Sequence, residues 1–186
     1  MRIRSIAASL LSLAAVPLLA GGALASHTSV AALSGDAGER VIFNDANGEA
    51  TASVDIARVT ASLVGEHDDR VRLKVAFAQI QKSGDHTAVY FDRNRSNPGP
   101  ELRLSGIVGS EFWLDRVDGW NDRGRPARCE FSRMHQDRSG WVMTASIDRD
   151  CLDSRHVRFE VRTTAWRDGS TDWLDRARRF STYSPA

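Results

Sequence analysis

Val71-Arg72-Leu73-Lys74-Val75-Ala76-Phe77 decides the fold. Val71, Leu73, Val75 and Phe77 occupy every second position, with Arg72, Lys74 and Ala76 between them, so an extended chain sends one set to a core and the other to water. Upstream, Val54, Ile56, Val59, Ala61 and Leu63 follow the same rhythm except for one slip near Ala57, which predicts a strand with a bulge. Downstream, Val157, Phe159, Val161 and Thr163 alternate with Arg158, Glu160 and Arg162 to give a last long strand. Between these lie Thr87 to Phe91, Glu101 to Leu104, Glu111 to Val117 and Arg128 to Arg133. Gln136-Asp137-Arg138-Ser139-Gly140 reads as a hairpin turn into Trp141 to Ile147.

No window carries an apolar stripe at helical spacing, although Asp150 to Arg155 and Thr171 to Arg179 each suggest one helical turn. The fold class is therefore all-β: an antiparallel β-sandwich of about seven to nine strands with one or two short helical turns. The long connections Arg93 to Pro100 and Gly119 to Ala127 are expected to cross between the sheets.

The chain opens with Arg2 and Arg4, an apolar stretch from Ile6 to Leu19, and Ala23-Leu24-Ala25 before Ser26. A charged segment, a short apolar one and a small-residue cleavage site make a secretory signal peptide. The expected organisation is a signal peptide over 1–25, a flexible arm over 26–39 and a single sandwich domain over 40–186. Secretion is the expected localisation, with no stable membrane anchor.

The sequence holds 25 Lys+Arg against 24 Asp+Glu; loss of Arg2 and Arg4 leaves 23 against 24, a net charge of −1. A near-neutral chain with its signs interleaved speaks against a nucleic-acid binder. Neighbours such as Asp115-Arg116 and Asp175-Arg176 read as solvated pairs. Cys129 and Cys151, exposed to an oxidising exterior, are expected to form a disulfide. The hairpin register would set Cys129 opposite residues near Ile147, within reach of Cys151.

Candidate chemistry sits in loops. Asp45-Ala46-Asn47-Gly48-Glu49 and nearby Asp55 place oxygens around a glycine, as a loop wrapping a hard cation requires, so Asp45, Asn47, Glu49 and Asp55 are the candidate metal ligands. The same residue types also make plain Asx turns, which is their commoner use. Asp92, Asn94, Ser96 and Glu101 form a second oxygen-rich loop, with Arg93 and Arg95 opposing a cation there.

Five tryptophans, Trp113, Trp120, Trp141, Trp166 and Trp173, offer flat faces for sugar rings, although core packing is the expected fate for most of the set. Trp120, Asn121 and Asp122, in a polar loop, and Trp113 are the candidate ligand-binding residues. The five histidines show no metal-protease spacing, and Gly109-Ser110-Glu111 lacks the second glycine of a nucleophile elbow. The sequence carries no legible catalytic motif.

The order Asn44-Asp45-Ala46-Asn47-Gly48-Glu49, Val54-Asp55-Ile56, Tyr90-Phe91-Asp92 and Pro98-Gly99-Pro100-Glu101-Leu102, followed by Cys151-Leu152-Asp153 and His156-Val157-Arg158, resembles uncharacterised secreted proteins of actinomycetes. Their layout is similar to carbohydrate-binding family 9-like and DOMON-like β-sandwiches. That resemblance implies ligand binding and a structural calcium; no cofactor is required. The leading expectation is a secreted non-catalytic binding module for a glycan or cell-envelope polymer. The alternatives are a secreted hydrolase with a site assembled from distant residues, and a protein-interaction or inhibitor module.

Overall fold

The computed structural model describes residues 40–65, 69–152, 156–175 and 178–184. The signal peptide and arm expected over 1–39 lie outside the described residues, as do residues 153–155 of one expected helical turn.

Two antiparallel sheets face each other. The first runs in the order β1 (Arg40–Asn44), β2 (Ile56–Val64), β3 (Arg70–Phe77), β9 (Val142–Asp148), β8 (Ser132–Gln136). The second runs β11 (Thr171–Trp173), β10 (Val157–Thr164), β4 (His86–Asp92), β5 (Leu102–Ile107), β6 (Phe112–Arg116), β7 (Arg125–Pro126), with β12 (Ser181–Tyr183) also paired to β10. The all-β sandwich expected from alternation is what forms. The described residues form twelve strands, four more than alternation alone marks: β1, which has no alternating apolar pattern of its own, and β7, β11 and β12, of only two or three residues.

Alternation builds the interior. Val71, Leu73, Val75 and Phe77 from the first sheet meet Val89, Phe91, Leu104, Phe159 and Val161 from the second, all essentially shielded from water. The bulge expected near Ala57 is present as a register shift between Ile56 and Arg58.

Several expectations are corrected. Thr171 to Arg179 opens as strand β11 rather than a helical turn, because Arg162, Thr163 and Thr164 of β10 offer it an edge to pair with. The connections 93–100 and 119–127 do not cross between sheets; each joins elements within the second sheet, and the crossings lie after β3, β7 and β9. Asp115 does not pair with Arg116, whose side chain is exposed; it is buried and bonded to Arg103 on the neighbouring strand. None of the five tryptophans belongs to the inter-sheet core.

Cys129 and Cys151 are bonded, with their Cα atoms 5.9 Å apart. Ser132, rather than a residue nearer Cys129, faces Ile147, so the bridge ties the chain before β8 to the 3-10 turn at Arg149–Leu152 beyond β9.

Candidate functional site

The outer face of the second sheet gathers the chemistry. Because Val89 and Phe91 on β4, Leu104 on β5, Leu114 on β6 and Phe159 and Val161 on β10 point inward, their neighbours in sequence point outward. Strand register then sets a row Trp173, Arg162, Ala88, Ser105, Trp113 across five strands, and beside it the row Glu160, Tyr90, Arg103, Asp115. At about 4.8 Å per strand, Arg162 and Ser105 stand roughly 10 Å apart with only the Ala88 methyl between them. Ala88 and Ser105 are both 0% exposed although they face outward, so the taller side chains around them close over a low floor.

One wall of this floor is aromatic. Trp120, from the 118–124 loop, packs on Tyr90 at 5.3 Å, on Trp173 at 5.5 Å and on Phe180 at 4.9 Å between ring centroids. Tyr90 in turn stacks on Trp173 at 5.7 Å. On the opposite side Trp113 stacks on His86 at 5.7 Å. Both tryptophans proposed from sequence as ligand-binding therefore share one face.

The polar groups on this face are short of partners. Glu160 Oε2, Ser105 Oγ, His86 Nε2, Arg103 Nε and Arg162 Nε are buried atoms without a hydrogen bond. Such groups cost free energy unless something bonds them, and they cluster where a ligand or ordered water does so. His86 is held down to about 4 by burial and by the nearby Arg162 and Arg103 charges, so its imidazole is neutral at pH 7. Glu160 accepts the Asp175 N–H at 3.0 Å, yet burial, aided by the Asp175 and Asp45 charges, pushes it up to about 8. Its carboxyl is therefore largely protonated at neutral pH and available as a donor.

Arg103 is fixed by three acceptors: Asp115 Oδ2 at 2.6 Å and the carbonyls of Asp122 and Arg123 at 2.9 and 2.7 Å. These contacts clamp the Trp120 loop onto the sheet. Asp122 serves that loop as well. Its carboxylate accepts the Asp118 N–H at 2.9 Å, and with the Gly124 N–H this holds it below the usual carboxylate range. Asn121 is exposed at the same loop.

The acidic loop forms a separate cluster. Gly48, at φ 90°, allows the chain to turn so that its N–H and that of Glu49 both point at Asp55, at 2.8 and 3.2 Å. Asp55 is thereby the clasp of the loop. Asn47 is exposed at the turn, and the residue that joins Asp45 and Glu49 is Asp172 of β11: one carboxylate oxygen from each of the three lies within 4.8 Å of the others.

Asp172 is itself held by the Ile56 and Trp173 N–H groups at 2.7 and 2.9 Å. Asp45 is pushed up to about 7 by burial and then by Asp172, with Glu49 and Asp55 adding to the repulsion. Its Oδ2 is buried without a hydrogen bond. Three crowded carboxylates with an orphaned oxygen fit a hard cation, which Asp45, Glu49 and Asp172 would hold; bound there, it would supply charge neutralisation and pin the loop to β11.

The second oxygen-rich loop closes on itself instead. Glu101 accepts Arg93 N–H and Asn97 Nδ2, Asn94 accepts Ser96 N–H, and Asp92 is paired with Arg158 at 2.5 Å. Nor do Ser105 and His86 form a nucleophile–base pair, since neither Ser105 Oγ nor His86 Nε2 has a hydrogen-bond partner.

Glu160, Arg162, His86, Ser105 and Asp172 carry no local sequence signal that points to this site. The alternating Arg158, Glu160 and Arg162 were visible, but only the register shows that they share a face with Tyr90 and Trp113. Compared with protein-family models, with curated proteins and with solved structures, the chain matches none.

Proposed function

We propose that the protein is an exported, non-catalytic module that binds a saccharide on the outer face of its second sheet. The observation that carries this reading is the juxtaposition of the Trp120, Trp173 and Tyr90 wall with the unpartnered polar atoms of Glu160, Ser105 and His86. Sugars are amphipathic: their ring faces stack on aromatic side chains and their hydroxyls both donate and accept. The resemblance to carbohydrate-binding family 9-like sandwiches points the same way, and a secretory leader would bring the module to envelope polymers.

Retention of the mature protein on insoluble polysaccharides and peptidoglycan tests it, with Trp173→Ala as the variant. The expected result is retention on at least one polymer and loss of most of it in the variant. Failure to bind any member of a broad panel overturns the reading.

A second reading has its own observation. The exposed Ile80, Trp141 and Trp166 lie in loops at one end of the sandwich that are tied together by Gln81 N–H to Gly140 carbonyl, Gly84 N–H to Val108 carbonyl and Trp166 N–H to Asp85. An apolar end of this kind suits a protein partner. Pull-down from culture supernatant, repeated with Trp166→Ser, separates it from the saccharide reading.

A further inference from the structure

The charges on the saccharide face do not balance. Arg103 is matched by Asp115 at 2.6 Å and Arg158 by Asp92 at 2.5 Å. Arg162 has no carboxylate within ion-pair distance among the described residues, and its guanidinium carbon sits 5.6 Å from the centroid of the Trp173 ring. Its Nε is buried and unbonded, and its side chain is half-buried between Trp173 and the floor residue Ala88.

Glu160, two residues away on the same face, does not compensate it, because burial keeps that carboxyl protonated. His86 contributes a neutral ring. A partly desolvated guanidinium without a counter-charge is unfavourable unless a ligand completes it, and its planar fork matches a carboxylate through two parallel hydrogen bonds.

Resting on the saccharide reading, we infer that the ligand carries a carboxylate, a uronic acid within the sugar chain, seated on the Arg162 guanidinium beside the Trp173 ring. The uncompensated Arg162 charge, with Arg178 over the same Trp173 ring at 4.9 Å, calls for a negative group on the ligand. A uronate supplies it on a ring that can still stack on Trp173 or Trp113.

The test is a set of paired polymers: polyglucuronate, polygalacturonate and polymannuronate, each alongside its carboxyl-reduced neutral counterpart, with a sulfated neutral glycan as a further arm. Affinity electrophoresis of the wild type is expected to show about tenfold or greater preference for at least one acid polymer over its neutral partner, the scale of a charge-assisted hydrogen bond, weakening as salt rises. Arg162→Gln is expected to erase that preference while leaving the weaker binding to the neutral partner, Arg162→Lys to keep part of it, and Trp173→Ala to lose both. Equal binding of acid and neutral partners, or a preference for the sulfated glycan, overturns the uronate inference and leaves saccharide binding standing. No binding to any polymer overturns both, and a melting point for Arg162→Gln close to the wild type confirms that the variant is folded.

Discussion

Asp172 on β11 reaches across the open side of the sandwich and accepts the Ile56 N–H of β2 at 2.7 Å, a side-chain link between the two sheets where no backbone ladder connects them. Its other oxygen takes the Trp173 N–H. The same carboxylate therefore crowds Asp45 and Glu49 of the acidic loop, ties β11 to β2 and fixes the Trp173 backbone.

Replacing it should be felt at all three. Asp172→Ala leaves the Ile56 N–H buried without an acceptor, and loss of hydrogen bonds to a charged group is expected to cost about 3 kcal/mol. A two-state thermal or urea melt measures this. A cost below about 1 kcal/mol would mean that the link between the sheets is slack.

Calcium is the second test, and its sign depends on pH. Asp45 titrates near 7 in the folded protein against an ordinary value of 3.8, because burial and the neighbouring carboxylates disfavour its charge. The folded state then holds more protons than the unfolded one between those limits, so this group favours folding below about pH 4 and its contribution is lost as pH rises through 7. A cation held by Asp45, Glu49 and Asp172 would cancel that loss. The expected outcome is a melting point raised by millimolar calcium relative to chelator, more at pH 8 than at pH 5; equal midpoints at both pH values exclude the cation.

How far the sequence could be read divides along a physical line. Alternation in Val71 to Phe77 and in Val157 to Thr163 specified strands and their buried sides, because a period of two needs only local chain geometry. The acidic loop was legible as a turn around Gly48, and Asp45 and Glu49 do converge there. Asp172 and Glu160 were not legible, since they reach their sites only through the pairing of β10 with β11 and β4, which lie up to 78 positions apart. Trp120 stood out by its polar surroundings, whereas Arg162 looked like one more solvated arginine until Ala88 was found beside it.

Glu160 provides a third test, which also separates binding from hydrolysis. Its folded value of about 8 against an ordinary 4.5 means that stability should fall as pH rises between those limits, by the same sign argument as for Asp45. Glu160→Gln keeps the shape of the protonated form, so the variant should melt near the wild type at pH 6, show a shallower decline up to pH 9 and retain ligand. A neutral carboxyl on the face proposed to bind a saccharide is also what a glycosidase acid looks like. If the wild type releases reducing ends from any bound polymer and Glu160→Gln abolishes this, the module is an enzyme.

The disulfide supplies the last prediction. Cys129 and Cys151 enclose β8, its hairpin turn and β9, with a sequence separation of 22, and a loop of that size is expected to stabilise the fold by about 3 kcal/mol through the entropy it removes from the unfolded chain. Both strands that it encloses belong to the first sheet, whereas Arg162, Ala88, Ser105 and Trp113 lie on the outer face of the second. A Cys129→Ala/Cys151→Ala variant should therefore melt well below the wild type yet bind its ligand with unchanged affinity at temperatures where it is folded. Titration calorimetry alongside a thermal melt separates the two effects, and a loss of affinity greater than about threefold in the folded variant would show that the sheets do not hold their shape independently.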